Sequence, residues 1–197
     1  FGKAVFGDHP YGRTSDEAAA YLAKLTRSDI VAFHAANYTP DTTIMAVAGD
    51  VTEKEVRRLL NKYCRGWRST ACPAPVPPAP PGRGATEVIK LDKDITLANI
   101  AVGEVGISRE NPDFYAVSVM NFILGGGGFG SRLLDDIRTR AGLAYSVGSG
   151  YTAPKSRGSF RIEMQTKTAS VRDAIGRACA QLRRIREEPV SDDELSN

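Results

Sequence analysis

Apolar and polar positions over the first 70 residues predict two capped helices on either side of one strand. The capping box Thr26-x-x-Asp29 begins the first helix, and Thr52-x-x-Glu55 begins the second. Between them, Thr43–Ala48 is β-branched and apolar, which predicts a buried strand. A helix, a strand and a helix provide too little sheet to close a core.

The rest of the chain repeats this alternation of helices and strands. Its apolar positions recur every 3.6 residues in the predicted helices and every second residue in the predicted strands. The predicted elements are strands over Thr86–Leu91 and Ile95–Val105, helices over Phe114–Leu124 and Ser131–Arg140, strands over Ser146–Thr152 and Ser159–Thr166, and a helix that starts at the capping box Ser170-x-x-Asp173. The last two strands are predicted to form a hairpin, and Ile95–Val105 is apolar enough to be buried. This mixture predicts an α+β fold with helices layered on a sheet.

A proline-rich stretch divides the chain. Six prolines lie between Cys72 and Gly84, a composition that favours extended polyproline conformation over helix or sheet. We therefore predict a linker over 71–84, the C-terminal part of one α+β unit over 1–70, and most of a second unit over 85–197. A further capping box, Ser191-x-x-Glu194, stands three residues before the last residue, so both ends are expected to be truncated.

Composition and charge exclude several classes of protein. The chain has 26 Lys and Arg residues and 23 Asp and Glu residues, for a net charge of +3. No run of Lys and Arg resembles the basic stripe of a nucleic-acid-binding surface. The densest cluster, Arg183–Arg186, is predicted to be a solvated helix face. No apolar run reaches the roughly 20 residues that a membrane span needs. Three cysteines, none in a C-x-x-C pair, leave the redox compartment open, and a Cys64–Cys72 bridge stays one geometric possibility.

The most informative stretch is a run of glycines followed by two long hydrogen-bond donors. Gly125, Gly126, Gly127 and Gly128 follow an apolar helix, and Arg138 and Tyr145 lie beyond them, seven residues apart. Consecutive glycines cost folding entropy, so they indicate a sharp turn or a close backbone approach. Arginine and tyrosine side chains donate hydrogen bonds and reach far enough to meet a bound carbonyl. From composition alone, a solvated arginine and a packed tyrosine would explain the pair equally well.

The glycine run also matches G-x-G-x-x-G through Gly125, Gly127 and Gly130, which raises the possibility of a dinucleotide site. The context disagrees, because a helix instead of a strand precedes the glycines and residue 150 offers no acid for a ribose. A Walker A motif is absent as well, since Ser131 and Arg132 stand where Lys and Ser or Thr are needed. Phosphate binding is therefore excluded.

The sequence contains neither a zinc-binding motif nor a set of residues for nucleophilic catalysis. The only histidines, His9 and His34, lie 25 residues apart, so neither H-E-x-x-H nor H-x-x-E-H occurs. Both are predicted to be structural residues, and no Ser-His-Asp or Cys-His set can be assembled from them. We expect this chain to bind no catalytic zinc by itself.

One block closely resembles a known family. The segment LGGGGFGSRLLDDIRTRAGLAYSVGSGY is similar to the corresponding stretch of the pitrilysin/insulinase family of zinc metallopeptidases, the inverzincins. Further resemblance lies in DHPYGR at Asp8–Arg13 and in LTRSDIVAFHAANYTPDTTIMAVAGDV at Leu25–Val51. The similarity covers nearly the whole chain.

The resemblance implies a two-half chamber built from pitrilysin-type α+β units. One half carries zinc on H-x-x-E-H, which here would lie upstream or in a partner, and the other contributes an Arg and a Tyr that match Arg138 and Tyr145. These two are the expected catalytic residues, for substrate binding and transition-state stabilisation. Gly125, Gly126, Gly127, Gly128 and Phe129 are the expected substrate-binding residues. The implied partners are a peptide substrate and a second half or subunit, in a homodimer or heterodimer.

Three functions stay open at this point. The chain belongs to a zinc peptidase that carries its own zinc motif upstream, to a non-catalytic partner subunit that supplies Arg138 and Tyr145 in trans, or to a structural or assembly protein with the same fold. The retained Arg/Tyr pair argues against the last. A bacterial periplasmic and a cytoplasmic location are both compatible with the sequence.

Overall fold

A computed structural model gives the fold of residues 1–69, 77–82 and 84–196. The chain divides into a larger unit, Phe1–Thr14 with Pro78–Asn197, and a smaller unit, Ser15–Pro77. Residues 1–14, expected in the first unit, thus group with the later part of the chain. Half of the predicted linker over 71–84 lies outside the described residues, as does Cys72. The linker and the possible Cys64–Cys72 bridge therefore stay predictions.

The regular structure of the described residues consists of helices and one small sheet. The α-helices are α1 (Gly2–Phe6), α2 (Ser15–Leu22), α3 (Arg27–Asn37), α4 (Glu53–Tyr63), α5 (Phe114–Asn121), α6 (Val171–Glu187) and α7 (Asp192–Ser196). The strands are β1 (Leu97–Val105), β2 (Ala144–Tyr151) and β3 (Ser159–Lys167). Two segments, π1 (Phe122–Gly126) and π2 (Leu134–Arg140), are π-helical. No helix of the described ranges combines the length and apolar character that crossing a bilayer requires.

Both capping boxes of the smaller unit are confirmed. The Thr26 hydroxyl accepts from the Asp29 N–H at 3.3 Å, and the Asp29 carboxylate accepts from the Thr26 N–H at 2.9 Å. The same reciprocal pair joins Thr52 and Glu55. Hydrogen bonds from the Thr26 hydroxyl and backbone lower the pKa of Asp29, and those from the Thr52 backbone and hydroxyl lower the pKa of Glu55. Each box supplies partners for backbone groups at a helix end that would otherwise lack them.

Two predicted strands are wrong. Neither Thr43–Ala48 nor Thr86–Leu91 adopts strand structure, and the sheet of the described chain contains only β1, β2 and β3. A β-branched apolar pattern specifies side chains that suit a sheet, but a strand also needs a hydrogen-bonded neighbour. Without one, the side chain of Ile44, expected to be buried, is 98% exposed.

We predict that the isolated chain self-associates through Thr43–Ala48. Extended backbone with unpaired groups and apolar side chains is a template for pairing with another copy. Light scattering over a concentration series measures the mean mass, and Ile44→Lys is expected to lower it by placing a charge on that edge. A monodisperse wild-type monomer at high concentration, with the amides of 43–48 protected from hydrogen exchange, would contradict this prediction.

The larger unit contains an antiparallel sheet in the order β1-β3-β2. Leu97 lies opposite Lys167 and Val105 opposite Ser159, and β2 and β3 form the predicted hairpin. β1 begins two residues later than the predicted strand and lies at one edge of this sheet. Only Val105 of its nine residues is buried, so the predicted burial of this strand is wrong.

Alternation along β3 defines the two faces of the sheet. Ile162, Met164 and Thr166 are buried, whereas Arg161 and Glu163, which alternate with them, are exposed. The buried face packs in one core with the helical segments, through Leu124, Leu133, Leu134, Ile137, Ala174 and Ala178. The predicted α+β arrangement of helices layered on a sheet is thereby confirmed.

The N-terminal ends of α6 and α7 differ in whether a side chain caps them. The capping box predicted at Ser170-x-x-Asp173 is wrong, because Ser170 makes no side-chain capping bond. A short 3₁₀ turn, Thr168–Ser170, leads directly into α6, so the chain is already helical where a cap was expected. At α7 the predicted box is confirmed, since the Ser191 N–H donates to Glu194 at 2.9 Å and the Glu194 N–H donates to the Ser191 hydroxyl at 3.3 Å.

Candidate functional site

Arg138 lies on the outward side of π2. Leu134 and Ile137 of the same segment are buried in the core, whereas Arg138 is exposed. The Ala141 N–H donates to the Asp136 carbonyl at 3.1 Å, a bond across five residues. Such π-helical segments are rare and often occur at functional sites.

A tightly bonded turn connects Arg138 to Tyr145. The Gly142 N–H donates to the Arg138 carbonyl at 3.1 Å, and the Leu143 N–H donates to the Ile137 carbonyl at 2.9 Å. Gly142 has a φ of +60°, which favours glycine. The buried Thr166 hydroxyl donates to the Leu143 carbonyl at 2.6 Å and fixes the turn to β3.

Tyr145 lies at a β-bulge. Ala144 is opposite Thr166 and Ser146 is opposite Gln165, so Tyr145 is the extra residue of β2. A bulge turns a side chain out of the regular alternation of a strand. The Tyr145 side chain is 76% exposed, and its hydroxyl is therefore available to a ligand.

The glycine run contributes both buried and exposed residues. Gly125 is buried, because a Cβ there would lie only 2.4 Å from the Ser149 nitrogen on β2. Close packing thus requires glycine at this position whatever else it does. Gly128 needs glycine for another reason, namely its φ of +64°. Gly126, Gly128 and Phe129 are exposed and Gly127 is half-buried, so these four remain accessible to a substrate.

Phe129 brings the glycine run into contact with Arg138. The guanidinium carbon of Arg138 lies over the Phe129 ring, 5.5 Å from its centroid. This distance is within the range of a cation–π interaction. The structure thereby joins two of the predicted site features, which are nine residues apart in sequence.

Nearby acidic side chains are engaged by other cations. Asp135 pairs with Arg140 at 2.8 Å, and Asp136 pairs with Arg177, also at 2.8 Å. Arg138 takes part in no ion pair within the described ranges. Its donor groups therefore have no carboxylate to compete with a ligand.

Sequence reasoning missed Arg132, which follows the glycine run. Its side chain is only 5% exposed and makes two hydrogen bonds to Glu194, Nε to Oε1 at 2.5 Å and Nη2 to Oε2 at 2.8 Å. These bonds hold the pKa of Glu194 at about 2, although burial opposes the shift. Two oppositely charged residues 62 positions apart carry no local signal that could have revealed the pair.

The histidines do not form a metal site. His9 Nδ1 accepts from the Tyr11 N–H at 3.1 Å, so Nε2 donates to the Pro78 carbonyl at 2.8 Å. The exposed His34 ring stacks on Tyr38 with the centroids 5.0 Å apart. Among the residues that the structure describes, no three His, Cys, Asp or Glu side chains come together to hold an ion. The described part of the chain therefore does not provide a ligand set that fits zinc.

Comparisons with known proteins point to one family. A sequence model described as the peptidase M16 inactive domain matches residues 24–197. A protein named uncharacterized zinc protease from Streptomyces coelicolor is 28% identical over 200 residues, covering 99% of this chain and 43% of the relative. A Mycobacterium leprae protein of the same description is 36% identical over 149 residues, 73% of this chain and 33% of the relative. The Schizosaccharomyces pombe protein named probable mitochondrial-processing peptidase subunit beta is 31% identical over 127 residues, 61% of this chain and 27% of the relative.

Solved structures agree with this similarity. The peptidase M16 inactive domain from Pseudomonas fluorescens has a TM-score of 0.87 and 28% identity, covering 98% of this chain and 47% of that one. A protease from Helicobacter pylori has the same fold, with a TM-score of 0.81 at 22% identity over 97% of this chain and 47% of that one. The chain thus spans less than half the length of the relatives it matches.

Proposed function

The chain belongs to the M16 peptidase family, within the region described as its inactive domain, and from this premise we propose that it supplies a substrate-binding surface to a zinc peptidase. The resemblance to the pitrilysin/insulinase family is thereby confirmed. Several relatives are named zinc proteases, whereas the residues described here provide no zinc ligands. In the proposed arrangement, the metal-binding residues belong to another part of the protein or to a partner.

Arg138 and Tyr145 are the proposed hydrogen-bond donors to the substrate. The observation that carries this proposal is their placement: both are exposed and lie at the two ends of one fixed turn. A guanidinium and a phenol can hold a peptide carbonyl and stabilise the negative charge that develops on its oxygen. The exposed glycines would contact the backbone of the same peptide, and Phe129 lies beside Arg138.

A partner subunit without its own metal is the second candidate. It is favoured by the relative whose name identifies it as a subunit of a processing peptidase. Reading about 150 residues upstream of Phe1 in the gene separates the two candidates. The motif H-x-x-E-H there indicates a chain that carries its own zinc, and its absence indicates a subunit that acts in trans. A structural or assembly role has less support, since it leaves the exposed Arg/Tyr pair unexplained.

We predict that residues 1–197 alone bind no stoichiometric zinc and hydrolyse no peptide. The physical reason is that tight zinc binding takes three or four ligands, which the described residues do not bring together. Elemental analysis of the purified chain and a fluorogenic peptide assay measure both properties, with the full-length protein together with any partner subunit as the positive control. One tightly held zinc per chain together with peptidase activity would overturn the proposed division of roles.

A further inference from the structure

We propose that Phe129 is a positioning residue that orients Arg138 toward the substrate carbonyl; this inference rests on the proposed role of Arg138. The Phe129 ring is 80% exposed, so burial gives it little reason to be aromatic. Its contact with the Arg138 guanidinium, 5.5 Å from the ring centroid, provides that reason.

Both partners of this contact are attached to fixed backbone. The Ser131 hydroxyl and N–H donate to the Gly128 carbonyl at 2.7 and 3.0 Å, and Ser131 is itself buried, which holds the turn that carries Phe129. On the other side, Ile137 is fully buried and anchors π2 next to Arg138. The ring therefore restricts a long side chain that would otherwise sample many rotamers.

An aromatic partner suits a substrate-binding arginine better than a carboxylate does. A carboxylate would accept the guanidinium N–H groups and neutralise the charge, whereas a ring attracts the cation through its face. Asp135 and Asp136, the acids of the same segment, are instead paired with Arg140 and Arg177. The geometry thus fixes Arg138 while leaving its donors free for a carbonyl oxygen.

The test uses the full-length peptidase and two substitutions at one position. Phe129→Leu keeps an apolar side chain but removes the ring, and Phe129→Tyr keeps the ring. A cation–π contact at an exposed site corresponds to about a two- to fivefold effect. We expect Phe129→Leu to lower kcat/KM by about that factor, and Phe129→Tyr, which keeps the ring, to lower it less. Thermal melting of each variant provides the control for folding.

Combining each substitution with Arg138→Ala separates positioning from direct contact. If Phe129 acts through Arg138, Phe129→Leu has no further effect once Arg138 is Ala. An equal loss in both backgrounds, or a wild-type kcat/KM for Phe129→Leu while Arg138→Ala is impaired, would overturn the role of Phe129 alone. Wild-type activity of Arg138→Ala itself would instead overturn the proposed function, so the two failures are distinguishable.

Discussion

On the proposed function, replacing Tyr145 by Phe in the full-length protein is expected to lower kcat for peptide hydrolysis by about 10²–10³, the usual cost of losing one oxyanion donor. The substitution removes one hydroxyl and keeps the ring, and the side chain is 76% exposed, so the core is not disturbed. KM is expected to change less than kcat, because ground-state binding uses many other backbone contacts. Steady-state kinetics with a peptide substrate measures both constants.

Arg138→Ala is expected to reduce kcat by a similar factor, since it removes the second donor at the other end of the same turn. Tyr115→Phe provides a matched control, because Tyr115 is 79% exposed and lies on α5. Its neighbour Phe114 contacts Tyr151, at the opposite end of β2 from Tyr145. Wild-type kcat in both Tyr145→Phe and Arg138→Ala would make the pair structural. A loss of activity that follows a lowered melting temperature would lead to the same conclusion.

Local patterns in the sequence were sufficient for α3, α4 and the hairpin, whereas α1 and α2 were not predicted. Capping boxes such as Thr26-x-x-Asp29 are formed by residues three positions apart, so the sequence contains all the partners that the bond needs. The strand predicted at Thr43–Ala48 depends instead on a neighbouring strand that no local pattern specifies. The position of a strand within a sheet also depends on its neighbours. Ile95–Val105 was expected to be a buried strand, whereas β1 lies at an edge of the sheet.

The candidate site shows the same division. The spacing of Arg138 and Tyr145 could be read from the sequence, and it is the resemblance to a peptidase family that gave the pair a role. Three features depend on tertiary packing and could not be predicted: the bulge at Tyr145, the contact of Phe129 with Arg138, and the need for glycine at Gly125. Each arises where two elements meet, and the pairing of their residues is set by the fold as a whole.

Glu194→Gln is expected to destabilise the larger unit by about 3 kcal/mol at neutral pH, because it leaves a buried guanidinium without its counter-charge. Arg132 is 5% exposed and Glu194 24% exposed, so solvent screens this pair much less than a surface pair. Urea denaturation of the wild type and the variant measures the difference. Glu163→Gln is the matched control, since its partner Arg161 and Glu163 itself are 49% and 59% exposed and the expected loss is below about 1 kcal/mol.

The same carboxylate predicts how the stability of the wild type depends on pH. The folded-state pKa of Glu194 is lowered from 4.5 to about 2, so folding favours the ionised form. A lowered pKa contributes stability that is complete above the unfolded-state value and is lost as pH falls through the folded-state value. The free energy of unfolding of the wild type should therefore approach that of Glu194→Gln as pH falls from about 4.5 to about 2. A difference that stays constant over this range would mean that the charge of Glu194 does not stabilise the fold, and that the variant acts only through the loss of one hydrogen-bond acceptor.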